Sequence, residues 1–126
     1  MIIVQSAGSP PNTLFAVMRY MHSNVDAIEV DLRLTADRII VLHDAADIQT
    51  SVTADHTSPL TPIKFLSCLE LHRLGVCTLE QLLMVVGTKK PLILDIKEAS
   101  VCRPLEKLLA KYSYLRPSIA SADPET

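Results

Sequence analysis

Residues Ala27 to Asp44 read AIEVDLRLTADRIIVLHD, and the reading of this stretch decides the fold. Two aliphatic runs flank a short polar turn, so it reads as two strands. Glu29 and Asp31 are one residue apart and therefore project from one face of the first strand. A buried carboxylate without a partner is costly, so a strand this aliphatic must supply one. Arg33 or Lys97 in a structural ion network would serve, and so would a metal ion. The second run ends on His43-Asp44, which puts a titratable ring at a strand terminus.

Outward from this stretch the chain alternates between strands and helices. Met1–Gln5 is a short buried strand, its IIV being β-branched and continuous. SAGSPPN is a loop, and Asn12 is placed to cap a helix through about Ser23, with Leu14, Val17, Met18 and Met21 facing inward. Ala27–Leu32 and Arg38–Leu42 are the second and third strands. The polar, proline-bearing segment Asp44 to Pro62 reads as a surface loop, and Ile63–Leu74 as a helix. Thr78-Leu-Glu-Gln81 is a capping box for a helix over Leu79–Val86 that Gly87 closes. Pro91–Ile96 is a fourth strand. Pro104 suits the first turn of a helix reaching about Tyr114, and PSIASADPET is a fifth short strand or an extended tail. The order βαββ(α)αβαβ, with strands apolar on both faces, predicts a parallel α/β sheet in a single domain over residues 1–126.

Composition narrows the function classes. The chain has 126 residues, 48% hydrophobic and 21% charged, which is ordinary for one globular domain. A net charge of −2 gives no general attraction to nucleic acid or an anionic membrane. No apolar run approaches the roughly 20 residues that span a bilayer. The opening MIIVQSAGSPPN lacks the charged n-region of a signal peptide, so a cytoplasmic location is expected. Glycine occurs only three times and in no phosphate-loop pattern. Cys68, Cys77 and Cys102 have no metal-ligand spacing and read as buried free thiols. His22, His56 and His72 read as solvated or packing residues, and Ser6 and Ser9 have no neighbouring base to activate them.

The polar residues fall at or near the C-terminal ends of strands: Gln5, Glu29, Asp31, His43, Asp95 and Lys97. Sites in barrels and open α/β sheets are built at that end. Glu29, Asp31 and Asp95 offer three hard oxygen ligands, a set suited to Mg²⁺, Ca²⁺ or Mn²⁺ rather than zinc. His43 is the candidate acid or base beside the ion, and Lys97 the candidate cation for an anionic substrate. Metal, proton carrier and cation together suit displacement at phosphorus.

Read in order, QSAGSPPNT, IEVDLRLTAD, IIVLHD, CTLEQLL and LILDIKEA resemble the successive motifs of the glycerophosphodiester phosphodiesterases, and SIASADPE resembles their fifth strand. The IEVDLRLTADRIIVLHD block is the specific part. The resemblance implies a TIM-barrel-like fold and metal-dependent hydrolysis of glycerophosphodiesters to an alcohol and glycerol 3-phosphate. It assigns Glu29, Asp31 and Asp95 as metal ligands, His43 as the second catalytic histidine, Lys97 as the lysine after the third ligand, and Asn12 as the asparagine that shapes the substrate site.

The departures carry equal weight. Gln5 stands where the first catalytic histidine belongs and Ser6 where the phosphate-gripping arginine belongs. Pro11 replaces the motif glutamate, Arg38 the turn glycine, and Asp95 a glutamate. Gln cannot exchange a proton near neutral pH, so activity is expected to be weak or lost. The alternative is a non-catalytic relative that binds metal and phosphate or serves in assembly. A barrel of this type has eight strands in about 250 residues, so a partial barrel of four to five parallel strands is expected, about half of the whole. Such a half would leave two strand edges and an apolar inner face open; a homodimer or higher self-association is the expected remedy, and a longer chain or a hetero-oligomer supplying the second half would serve as well.

Overall fold

The computed structural model describes residues 1–50, 59–115 and 117–121. Its centre is a five-stranded sheet. Strand β1 (Ile3–Val4) pairs in parallel with β2 (Ala27–Leu34), whose antiparallel neighbour is β3 (Ile40–Leu42). The hairpin β4 (Asp47–Gln49) and β5 (Leu60–Pro62) forms a separate two-stranded sheet. Strand β6 (Leu92–Ile96) lies parallel to β2, and β7 (Ser118–Ser121) parallel to β6, so β1-β2-β6-β7 is an open parallel sheet. No closed barrel forms among the described residues.

Strand β2 positions everything else. Its even residues Ile28, Val30 and Leu32 are fully buried and pack with Val17, Leu82, Leu83, Val86, Leu94 and Leu105. Its odd residues Glu29, Asp31 and Arg33 turn to the opposite, inner face, beside Asp95 and Lys97 from the neighbouring strand and its end. Period-2 alternation thus separates the core from the site along one strand.

Four helices complete the described structure: α1 (Leu14–Tyr20), α2 (Cys68–Arg73), α3 (Leu79–Val86) and α4 (Cys102–Lys111). Helix α3 starts where its capping box requires: Thr78 accepts from the Gln81 amide and the Gln81 side chain accepts from the Thr78 amide. It buries Leu79, Leu82, Leu83 and Val86, each worth about 1.5–3 kcal/mol of apolar transfer.

Several sequence expectations are corrected. Strand β3 runs antiparallel to β2, because the short turn between them cannot carry a parallel crossover. Thr13, not Asn12, caps α1, accepting from the Ala16 amide, and the helix ends at Tyr20. Met18 is 58% exposed because α1 buries the side that carries Ala16 and Val17, with Met21 just past its end. The segment expected as one helix over Ile63–Leu74 is a short 3-10 turn at Ile63–Phe65 followed by α2, which Ser67 caps with its own capping box. The expected loop from Asp44 to Pro62 contains the hairpin β4–β5; residues 51–58, with His56, lie outside the described residues. So do residues 122–126 of the expected tail. Of the three thiols Cys77 is buried, whereas Cys68 and Cys102 are only partly so. The inner face is polar rather than apolar around the acids. Exposed aliphatics are scattered over the chain, and the two edge strands each carry one, Ile3 on β1 and Ile119 on β7.

Candidate metal centre

The parallel register of β2 and β6 sets Glu29 opposite Ile93 and Asp31 opposite Asp95. Glu29, Asp31 and Asp95 each bring a carboxylate oxygen to within 4.8 Å of the others. Asp31 is the anchored member, with 2% of its surface exposed. Its Oδ2 accepts hydrogen bonds from Ser6 Oγ at 2.6 Å and from Asn12 Nδ2 at 2.9 Å. The Asp31 amide in turn donates to Asn12 Oδ1 at 3.0 Å. Asn12 reaches across because its backbone is left-handed, with φ 56°, a conformation that asparagine tolerates. This is why it leaves the helix cap to Thr13.

Lys97 is the cation of the cluster. Its Nζ lies 2.9 Å from Asp95 Oδ2, 3.3 Å from Asp44 Oδ1 and 3.5 Å from Asp31 Oδ1. The hydrogen bond to Asp95, reinforced by Asp44, holds its ammonium well above the ordinary lysine range despite burial. Glu29 also shifts upward, which for a carboxyl disfavours the charged form. Burial, then the charges of Asp95 and Asp31, raise its carboxyl above the usual range, and Lys97 only partly offsets them. One ammonium therefore does not neutralise the crowded acids. Three hard oxygens converging at this spacing fit a divalent cation, and the residual repulsion at Glu29 is what such an ion would relieve.

His43 enters from the antiparallel strand. Its amide donates to the Asp31 carbonyl at 2.9 Å, so the ring stands beside the ligand strand. Its Nδ1 lies 2.8 Å from the Ala45 carbonyl, which can only accept, so the Nδ1 proton is held there and Nε2 is the ring nitrogen left to exchange a proton. Arg33, considered above as a partner for the acids, instead bonds Glu98 at 3.4 Å and the Asp44 carbonyl at 2.6 Å. Glu98 also accepts from the Leu34 amide at 2.8 Å. The ion network and the acidic cluster are thus both present, sharing Lys97. Gln5 is exposed and Ser6 half-buried in the turn that follows β1. Sequence reasoning missed Ser6, Asp44 and Glu98. Asp44 and Glu98 are the next residues in the HD and DIKE stretches, a signal that was legible; nothing local in SAG reveals the Ser6 contact.

A family model described as the glycerophosphoryl diester phosphodiesterase family matches residues 5–114. The chain belongs to that family. A glycerophosphodiester phosphodiesterase from Thermotoga maritima superposes with a TM-score of 0.81 at 21% identity, over 99% of this chain and 55% of that one. The glycerophosphoryl diester phosphodiesterase domain of a Mycobacterium tuberculosis protein gives a TM-score of 0.79 at 18% identity, over 99% of this chain and 53% of that one. A phosphodiesterase from Oleispira antarctica, solved with the product sn-glycerol-3-phosphate, gives a TM-score of 0.80 at 16% identity, over 98% of this chain and 58% of that one. These likenesses establish a TIM-barrel-like, partial fold, and the chain spans about half the length of these solved relatives. No curated protein matches it. No helix of the described residues is long and apolar enough to cross a membrane.

Proposed function

We propose that this phosphodiesterase-family chain binds a divalent cation, Mg²⁺ or Ca²⁺ with Mn²⁺ also suitable, through Glu29, Asp31 and Asp95, and uses it on a glycerophosphodiester. The convergence of the three carboxylates to within 4.8 Å carries the reading. When bound, the cation supplies Lewis-acid stabilisation of charge on a phosphoryl oxygen. The chain's own groups do the rest. Lys97 brings a permanent positive charge to the non-bridging oxygens of the diester, and Asn12 shapes the site by fixing Asp31. His43 Nε2 accepts or delivers the proton of the alcohol or water.

With Gln5 and Ser6 on the β1 side, one proton carrier and one phosphate-binding cation of the family pattern are missing. Hydrolysis is accordingly weak or lost, by about 10²- to 10⁴-fold for the proton carrier alone. The alternative reading, a metal- and phosphate-binding or assembly relative without turnover, is favoured by the same two positions. A second copy of the chain, covering the β1 and β7 edges, is the proposed partner, and a cytoplasmic location is the expected setting.

The test is hydrolysis of glycerophosphocholine with Mg²⁺, Ca²⁺ or Mn²⁺, with Glu29→Ala as control. Metal-dependent turnover abolished by Glu29→Ala supports the enzyme. No turnover from folded protein supports the non-catalytic relative. Gln5→His with Ser6→Arg separates these further: activity gained by the double variant marks a site degraded only at those positions.

A further inference from the structure

We infer that Ser6 is a positioning residue that makes Asp31 a one-oxygen ligand and so biases the site toward the smaller cation. The inference rests on the reading of Glu29, Asp31 and Asp95 as a cation site and concerns a residue outside that set. Asp31 Oδ2 accepts two hydrogen bonds, from Ser6 Oγ at 2.6 Å and Asn12 Nδ2 at 2.9 Å, whereas Oδ1 faces Lys97 Nζ at 3.5 Å. A short hydroxyl–carboxylate bond of this kind is charge-assisted and strong. With Asn12 Nδ2 on one lone pair of Oδ2, it takes up the other and leaves that oxygen none for an ion. The carboxylate then cannot turn to present both oxygens to one ion without breaking it.

The backbone at Ser6 is built around this contact. Its φ of 50° and ψ of 30° are left-handed, an unfavourable conformation for a residue with a Cβ. The next residues, Ala7 and Gly8, also have positive φ, and the Gly8 amide donates back to the Gln5 carbonyl at 2.9 Å. The turn thereby aims a short side chain across 25 positions of sequence at the buried carboxylate.

Cation size turns this constraint into selectivity. Ca²⁺ accepts bidentate carboxylates and six to eight oxygens, whereas Mg²⁺ requires a near-octahedral set of single oxygens. Holding Asp31 to one oxygen leaves the Mg²⁺ arrangement intact and withholds an oxygen from Ca²⁺. Asp95, a shorter arm than glutamate, cannot compensate by reaching further around the ion.

The experiment is calorimetric titration of the whole chain with Mg²⁺ and Ca²⁺ separately, for wild type, Ser6→Ala and Ser6→Gly. Both variants remove the hydroxyl, but glycine also relieves the left-handed strain, so a folding effect would separate them. The expected result is a Ca²⁺-to-Mg²⁺ affinity ratio raised about fivefold or more in both variants. Equal changes for the two cations, no change, or a shift in only one variant would overturn the assignment of Ser6. A wild-type chain that binds neither cation would overturn the cation site itself, and this inference with it.

Discussion

Asp31 and Asp95 face each other across the parallel pair β2 and β6, and Lys97 Nζ lies within 3.5 Å of an oxygen on each. Register alone brings the two acids side by side, since residues opposed in a parallel pair project to the same face. Two carboxylates so placed repel each other, and the lysine two residues beyond Asp95 supplies the nearest compensating charge. The proposed divalent cation would therefore compete with the tethered ammonium of Lys97 for the same carboxylates. That competition organises the behaviour expected of Lys97 variants.

Lys97→Met leaves the Asp31 and Asp95 charges without their shared partner. In the absence of divalent cations the variant is expected to lose about 1–3 kcal/mol, the range for uncoupling a partly buried charge. Saturating Mg²⁺ or Mn²⁺ should restore most of it, since a ligand at 100 times its Kd contributes about 2.7 kcal/mol. Thermal unfolding with and without cation, in wild type and variant, measures both. A variant whose stability ignores the cation would contradict the shared-site geometry.

Asn12→Ala removes both arms of a two-point clamp, leaving the buried Asp31 amide without its acceptor and Oδ2 with a single donor. Unsatisfied buried groups of this kind cost about 1–3 kcal/mol. Urea unfolding should register that loss. Thr13→Ala, which removes the actual helix cap, should cost about 1 kcal/mol and leave cation binding unchanged.

Gly8→Ala should unsettle the turn that carries Ser6. Gly8 has φ 89°, and a Cβ there would lie 2.5 Å from Cε2 of Tyr20. Clash and left-handed backbone together predict a loss of about 1–3 kcal/mol. Adding Tyr20→Ala should remove the clash component and leave the backbone component, a non-additivity that a double-mutant cycle reads directly.

Asp37 predicts an acid-side effect far from the metal centre. Its Oδ1 accepts from Thr35 Oγ1 at 2.6 Å and from the Cys68 amide at 3.0 Å, tying the β2–β3 turn to α2. The Thr35 hydroxyl, followed by the Cys68 amide, holds the carboxyl below its ordinary value of 3.8 despite some desolvation. A depressed folded-state value means stability present above the ordinary pKa and lost as pH falls through the lower one. Asp37→Asn should therefore flatten the fall of Tm between about pH 5 and 2.5. Its effect should be small, because the side chain is exposed.

Much of this protein was legible in its sequence because the governing signals are local. The alternation in AIEVDLRL set core and site faces of β2 apart. The TLEQ capping box started α3 at Leu79, and the positions of Glu29, Asp31 and Asp95 at strand ends marked the cluster of carboxylates that the structure brings together. Local signals misled where a residue had two possible employers. Asn12 is as good a helix cap as Thr13, and only the buried Asp31, 19 positions away in sequence, decides which one caps. Met18 fits a helical stripe, but the direction in which α1 docks on the sheet determines which stripe is inside.

The sequence by itself determined the strands of the main sheet, the capped start of α3 and the chemical character of the acids, since these depend on neighbours within a few residues. Only the tertiary structure decided that Lys97 reaches Asp31 and Asp44 and that Ser6 reaches Asp31. Each of those contacts joins segments far apart in the chain. Strand register and docking angle fix them, and neither leaves a mark on any short stretch of residues.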